Sequence, residues 1–225
     1  MTARIDHVVI AAASLEEGAA WCEATLGVAP GPGGEHPLMG THNRLLRIAT
    51  VDHPRVYLEI IAVQPGRAAQ RPQRWFDLDD ETVRDTLAAS GPRLLQFAAS
   101  VPDLPQALAA LRACGLDGGE AIAASRMTPR GLLQWQIGIR ADGKRLLAGT
   151  VPTLIEWGAN HPAAAMPESG VTLQSLAASH PDAATLRRAH EAIALQGVTV
   201  KQGEADLCAV LDTPRGRVKL QSAGL

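Results

Sequence analysis

Two glutamates lie within apolar, strand-like runs, and this placement makes them candidates for chemistry. Glu59 lies in residues 57–61 and Glu156 in residues 154–157, each beside an isoleucine. An unpaired carboxylate among buried apolar neighbours destabilises the folded state, so each is expected to have a partner or a function. General acid–base catalysis is the chemistry that a carboxylate in such a position supplies.

His7 lies in a similar run at the start of the chain, residues 5–11. Alternate side chains of a strand share one face, so Ile5, His7 and Val9 are predicted to point to the same side. A single histidine there is compatible with a hydrogen-bonded core residue or with a functional one. The residues alone leave both interpretations open.

Four further residues are candidates for contact with a small molecule. His42 and Asn43 follow a glycine at the entry to a predicted strand, where they suit either a capped turn or a contact from the wall of a cleft. His161 lies in a loop shortly after Glu156 and could lean over the same site. Trp135 alternates with apolar residues, which also suits a buried face.

Two arginines, Arg126 and Arg130, flank a hairpin-like stretch. Solvent exposure is the simplest interpretation of such residues. The alternative is that one of them holds an anionic substrate, since a guanidinium binds a carboxylate through two parallel hydrogen bonds.

The elements that would position these residues follow a repeated order. Residues 5–11 predict a strand, Ser14 with Glu17 forms a capping box for a helix, and Gly27 ends that helix. Residues 30–34, rich in glycine and proline, predict a loop. The strands predicted next are 43–50 and 55–63.

The same order, strand, helix, strands, begins again at residues 94–100 and at 171–177. His7 and Gln96 each lie eight residues before the leucine that opens the following helix. Self-similarity of this length indicates repeated α+β units. The predicted divisions are a first βαβββ module at 1–64, a connecting segment with a short helix at 65–91, a second βαβββ module at 92–158, and a third, partial βαββ module at 159–225.

These features together resemble a known family. The first unit opens with residues 6–9, Asp-His-Val-Val, and closes with residues 57–60, Tyr-Leu-Glu-Ile, while Gly-Thr-His-Asn at 40–43 precedes a strand. This pattern resembles the vicinal oxygen chelate superfamily and, within it, the glyoxalase-like domain proteins. The resemblance implies an α+β fold of tandem βαβββ modules, whose curved mixed sheets surround a cleft.

The resemblance also implies a divalent metal site. Carried over by position, its ligands would be His7, Glu59, Gln96 and Glu156, an oxygen-rich set suited to zinc, nickel, manganese, cobalt or iron(II). Gln96 departs from the histidine expected there and is a poor ligand. The implied activity is that of a metal-dependent lyase or isomerase, with Glu59 or Glu156 as the catalytic base.

Two other functions stay open at this stage. A metal-free protein could bind or sequester a small molecule in the same cleft. A ring-cleaving dioxygenase is less favoured, because its iron site prefers two histidines and one carboxylate.

Composition narrows the range of partners. The formal net charge is −2, aromatic residues make up 3%, and the basic residues form no run, which gives little support to nucleic-acid binding. The sequence shows no signal-peptide pattern and no apolar run that could cross a bilayer. We therefore expect a cytoplasmic protein, monomeric or homodimeric, with a small-molecule substrate.

Overall fold

The structure, a computed structural model, describes residues 2–128, 131–223 and 225. Arg130, one of the two arginines noted above, lies outside the described residues. Within them are twelve strands, which form two mixed sheets, and four α-helices. In chain order the elements are β1 (Arg4–Ala11), α1 (Leu15–Leu26), β2 (Gly31–His36), β3 (Thr41–Arg47), β4 (Tyr57–Val63), α2 (Glu81–Ser90), β5 (Arg93–Ser100), α3 (Leu104–Ala113), β6 (Glu120–Thr128), β7 (Gly131–Ile139), β8 (Thr153–Trp157), β9 (Thr172–His180), α4 (Ala183–Ala192), β10 (Val198–Gln202), β11 (Asp206–Thr213) and β12 (Gly216–Gln221).

Local signals at the first helix act as predicted. The hydroxyl of Ser14 accepts a hydrogen bond from the backbone N–H of Glu17 at 3.1 Å. Gly27 ends α1 with φ of 78°, the left-handed conformation that glycine adopts without strain. The helix therefore begins and ends where its capping residues require.

Eight strands form the larger sheet, in the order β2-β3-β4-β1-β5-β8-β7-β6. The two central strands, β1 and β5, pair antiparallel, while β1 pairs parallel with β4 and β5 pairs parallel with β8. Each half of the sheet thus has the same order. Outward from the centre lie the first, fourth, third and second strand of its module. The predicted α+β fold with glyoxalase-like βαβββ units is confirmed.

The prediction of a loop at residues 30–34 is wrong, because β2 begins at Gly31 and pairs antiparallel with β3. Glycine and proline disfavour central strands, but β2 is an edge strand, where a missing N–H is tolerated. Its register also shifts between Pro32 and Glu35. The error matters because the strand ends on His36, which sequence reasoning did not select.

Helices α1, α3 and α4 pack on one face of the large sheet, and the other face, against which α2 packs, forms a cleft. Val8, Ile10, Leu58 and Ile60 are fully buried against apolar residues of the helices and of the second sheet. Val9 and Ile61 belong to a separate cluster on the opposite face. Strand alternation accounts for this division, since neighbouring residues point to opposite sides.

A β-bulge in β1 changes which residues share a face. The register with β5 shifts between Ile5 and His7, so that Asp6 is the extra residue. Ile5 consequently packs with Val8 in the helix-side core, and the prediction that it shares a face with His7 is wrong. Asp6 and His7 are both buried and hydrogen-bonded to each other.

The third unit forms the smaller sheet, with the order β10-β9-β11-β12. Its elements run strand, helix and three strands, as in the modules, but β9 pairs with β10 and β11 instead of with the last strand. Its apolar face, including Leu176 and Leu211, completes the helix-side core. In the described part of the chain, no helix has both the length and the apolar character needed to cross a bilayer.

Candidate active site

A buried carboxylate, Asp6, organises one side of the cleft. Its Oδ1 accepts a hydrogen bond from Nδ1 of His7 at 2.7 Å. Its Oδ2 accepts from Nε1 of Trp157 at 2.9 Å and lies 3.0 Å from Nε2 of His161. Nδ1 of His161 accepts from the backbone N–H of Ala163, so Nε2 carries the proton and donates to Asp6. Three donors therefore surround one carboxylate.

His7 links this carboxylate to Glu59. With Nδ1 held by Asp6, its Nε2 points at Oε2 of Glu59, 3.4 Å away. The ring also stacks on Tyr57, with centroids 4.6 Å apart. The imidazole is thus fixed in orientation between two buried carboxylates.

Asn43 holds the other oxygen of Glu59 and also contacts His36. Nδ2 of Asn43 donates to Oε1 of Glu59 at 2.5 Å and lies 3.4 Å from Nε2 of His36. Oδ1 of Asn43 accepts from the backbone N–H of Gly34 at 2.7 Å, and Nδ1 of His36 lies 3.1 Å from Oγ1 of Thr41. Asn43 therefore satisfies all its polar atoms while joining β2 to Glu59.

The charge states follow from these contacts. Burial alone would lower the pKa of His7, but its hydrogen bonds with Asp6 and Glu59 raise it to about 9. Burial alone would raise the pKa of Glu59, but the bond to His7 lowers it below the usual range. Burial lowers the pKa of His36 to about 4. At neutral pH the site thus holds a charged His7, an ionised Glu59 and a neutral His36.

These groups line an inner pocket of about 50 Å³. Its walls include three indoles, those of Trp75, Trp135 and Trp157. The contact of Trp135 with a substrate stays a prediction. The pocket adjoins a larger outer cavity of about 500 Å³, with which it shares Leu45, Arg126, Leu133 and Pro162. His161 lines the outer cavity.

The structure does not bring Gln96 and Glu156 together with the first pair. Gln96 faces the cleft, but its Nε2 donates to Oγ1 of Thr153 at 3.0 Å and its Oε1 is buried without a hydrogen-bond partner among the described residues. Glu59 is paired with Val9, two residues after His7, and Thr153 is paired with Ala98, two residues after Gln96. By register, Thr153 is therefore the counterpart of Glu59.

Glu156 lies on the opposite face of β8, against the start of α3. Its Oε2 accepts a hydrogen bond from the backbone N–H of Leu104 at 2.7 Å. That N–H has no partner within the helix, so the carboxylate stabilises the helix terminus. The chemistry predicted for Glu156 is not available at this position.

The helix contact gives a stability prediction. Glu156→Ala should lower the free energy of unfolding by about 1 kcal/mol, as loss of a helix cap does. Glu156→Gln should lose less, since its amide oxygen can accept the same bond. Urea unfolding followed by circular dichroism measures both, and equal losses would contradict the assignment.

His42 also lies away from the cleft. It is paired with Ala62 in β4, while Asn43 is paired with Ile61, which faces the cleft. Alternation along the strand therefore turns the side chain of His42 away from the cleft, whereas that of Asn43 faces it.

The donor set does not fit the divalent metal that the resemblance implied. Among the described residues, no group of three or more His, Cys, Asp or Glu side chains is arranged to hold an ion. His36 and Glu59 come within 4.0 Å, but the Asn43 amide donates into the space between them. In the second module a hydroxyl, that of Thr153, stands where a carboxylate would be needed.

Comparison with known proteins agrees with the fold. Residues 5–194 match the family described as the glyoxalase-like domain. The chain belongs to this family. The prediction of a vicinal-oxygen-chelate fold is thereby confirmed. No curated protein matches the glyoxalase-like chain in sequence.

Solved structures of low sequence identity align with this chain. A hypothetical protein from Staphylococcus aureus aligns with a TM-score of 0.61 at 12% identity, covering 91% of this chain and 88% of that one. A variant of the Streptomyces coelicolor methylmalonyl-CoA epimerase, in complex with 2-nitronate-propionyl-CoA, gives 0.42 at 18%, covering 71% and 100%. The Mycobacterium tuberculosis epimerase gives 0.37 at 20%, covering 72% and 91%. At 12% identity the first of these alignments shows a shared fold alone.

Proposed function

We propose that this glyoxalase-like protein is a lyase or isomerase that moves a proton at a carbon next to a carbonyl group of a small substrate. The observation that carries the proposal is the pairing of an ionised Glu59 with a charged His7 on the wall of the inner pocket. A base and an acid fixed side by side match the needs of this proton transfer.

Each residue has a defined role in the proposed step. Oε2 of Glu59 takes the proton from carbon, while the electron pair of the broken C–H bond moves to the carbonyl oxygen. Nε2–H of His7 donates a hydrogen bond to that oxygen and stabilises the developing enolate. Returning the proton to another face or atom completes an isomerisation, and expelling a leaving group completes an elimination.

The surroundings favour this division of roles. Asp6 keeps His7 charged from its far side, and Asn43 binds Oε1 of Glu59, so that Oε2 faces His7. The indoles limit water in the pocket, which strengthens the electrostatic contacts. We assign no step to a metal, because the donor set does not fit one.

Exchange of carbon-bound protons in D₂O tests the proposal. The protein is incubated with a panel of oxo acids, oxo esters and aldehydes, and loss of the α-proton signal is followed by NMR. We expect exchange on at least one member to exceed that in buffer and with heat-denatured protein. Exchange abolished by EDTA and restored by zinc or manganese would contradict the metal-free assignment.

A second candidate function is ligand sequestration. The outer cavity of about 500 Å³ has the size of a site for a small molecule. Binding of panel members, seen as a change in tryptophan fluorescence, without exchange on any of them would favour this function over catalysis.

A further inference from the structure

Arg126 occupies an unusual position where the two edges of the large sheet meet. It lies on β6, at one edge, whereas Gly34 lies on β2, at the other edge. A Cβ atom added to Gly34 would overlap the guanidinium of Arg126. The sheet is therefore curled until its outermost strands touch, and Arg126 makes the contact through a gap that glycine leaves open.

The half-buried guanidinium has no counter-ion within the described residues. No hydrogen bond or ion pair joins it to another of these residues. Two other arginines of the fold have such partners: Arg145 pairs with Asp77 at 2.7 Å, and Arg47, on the wall of the outer cavity, pairs with Glu168 at 3.1 Å. A partly desolvated cation without a partner favours binding of an anion.

The location is suited to a substrate. Arg126 lines both the inner pocket and the outer cavity, and its charge acts on His36 and Tyr57 of the inner pocket. An anion bound there would lie in the passage between the catalytic pair and the larger cavity. The remainder of the same molecule could then extend in either direction.

We infer that Arg126 forms a carboxylate-binding subsite, so that the substrate is a small oxo acid anchored at the junction of pocket and cavity. The inference rests on the proposed function for the oxo group, but the anion contact stands on Arg126 and Gly34 alone. A guanidinium presents two parallel N–H groups that match the two oxygens of a carboxylate. The occupant would carry its apolar part in the outer cavity.

Binding of matched probes tests the subsite. Straight-chain carboxylates of two to eight carbons and the amides of the same lengths are titrated while the fluorescence of the pocket tryptophans is recorded. The wild-type protein should bind the best carboxylate at least about tenfold more tightly than its amide, the effect of one lost charge-assisted contact. Arg126→Gln should remove this preference, and Arg126→Lys should keep only part of it. Inorganic phosphate, titrated in parallel, shows whether a tetrahedral anion is accepted as well.

Two further variants separate a specific contact from general effects. Gly34→Ala keeps the backbone N–H that Asn43 accepts from, but it displaces the guanidinium, so it should reduce carboxylate binding as Arg126→Gln does. Arg84→Gln removes the same charge from the exposed surface of α2 and should leave binding unchanged. Circular dichroism and melting temperature confirm that each variant is folded.

The outcomes distinguish this inference from the proposed function. A wild-type protein that does not prefer carboxylates over amides, or an Arg126→Gln variant that retains the preference, overturns the subsite. Arg126-dependent binding without proton exchange on any oxo acid supports the subsite and counts against catalysis. Exchange with a KM that does not change in Arg126→Gln supports catalysis and counts against the subsite.

Discussion

Replacing Glu59 by glutamine is expected to slow α-proton exchange by about 100- to 10,000-fold, the contribution of a positioned general base. The variant keeps the shape of the side chain. Its amide oxygen can accept from Asn43, and its amide nitrogen can donate to Nε2 of a neutral His7. The pocket should therefore keep its shape while the proton acceptor, and with it the Nε2–H donor of His7, is lost, so kcat falls much more than KM changes.

Glu156→Gln is the matched control for this experiment. It is the same substitution, on the last strand of the other module, but its side chain contacts α3 on the far face of the sheet. Exchange should continue at the wild-type rate. If Glu59→Gln also kept wild-type exchange, or if Glu156→Gln lost it, Glu59 would not be the base and the assignment of the site would have to be abandoned.

The contrast between these two glutamates shows how far the sequence could lead. Both lie in apolar strands, and a pattern of residue types cannot tell which face a side chain occupies without the register. Pairing of Thr153 with Ala98 sets the register of β8 and turns Glu156 toward the helices. A shift of the strand register by one residue moves a side chain to the other face of the sheet. The fold could therefore be predicted from the sequence, but the residues of the site could not.

His36 and Asp6 were missed for two different reasons. His36 ends a strand of glycine and proline residues, whose strand structure depends on pairing with β3 and not on local propensity. Asp6 lies beside His7 and would point away from it in a regular strand, but the bulge in β1 brings both side chains to the same carboxylate–imidazole contact. The sequence did place an acidic residue next to a candidate histidine. Only the bulge shows that the two side chains can contact each other.

Asp6→Asn is expected to lower the free energy of unfolding by about 3 to 5 kcal/mol, as removal of one partner from a buried ion pair does. Three donors converge on Asp6, from His7, His161 and Trp157. An amide has only one acceptor oxygen, so at least one donor would face an N–H₂ group. The indole N–H of Trp157 cannot adapt, because it can only donate.

Asp212→Asn provides the control for this loss. Asp212 pairs with Arg217 at 2.8 Å on the exposed surface of the smaller sheet. Exposed pairs of this kind contribute little to stability, because water and salt screen the two charges. Urea unfolding of both variants at pH 5.5 should therefore show a clear difference between the buried and the exposed aspartate.

The pH dependence of the Asp6→Asn effect follows from the two shifted groups. The pKa of His7 is raised from 6.5 to about 9 by its buried carboxylate partners, so its contribution, about 3 kcal/mol for both partners together, is complete below pH 6.5 and lost as the pH rises through 9. The pKa of Asp6 is lowered from 3.8, so its contribution is complete above that value and lost in acid. The difference between wild type and Asp6→Asn should thus be greatest between about pH 4 and 6.5 and should narrow toward pH 9. If the difference in stability between wild type and Asp6→Asn grew with rising pH, His7 would be neutral in the folded protein. His7 could then not be the hydrogen-bond donor assigned to the reaction.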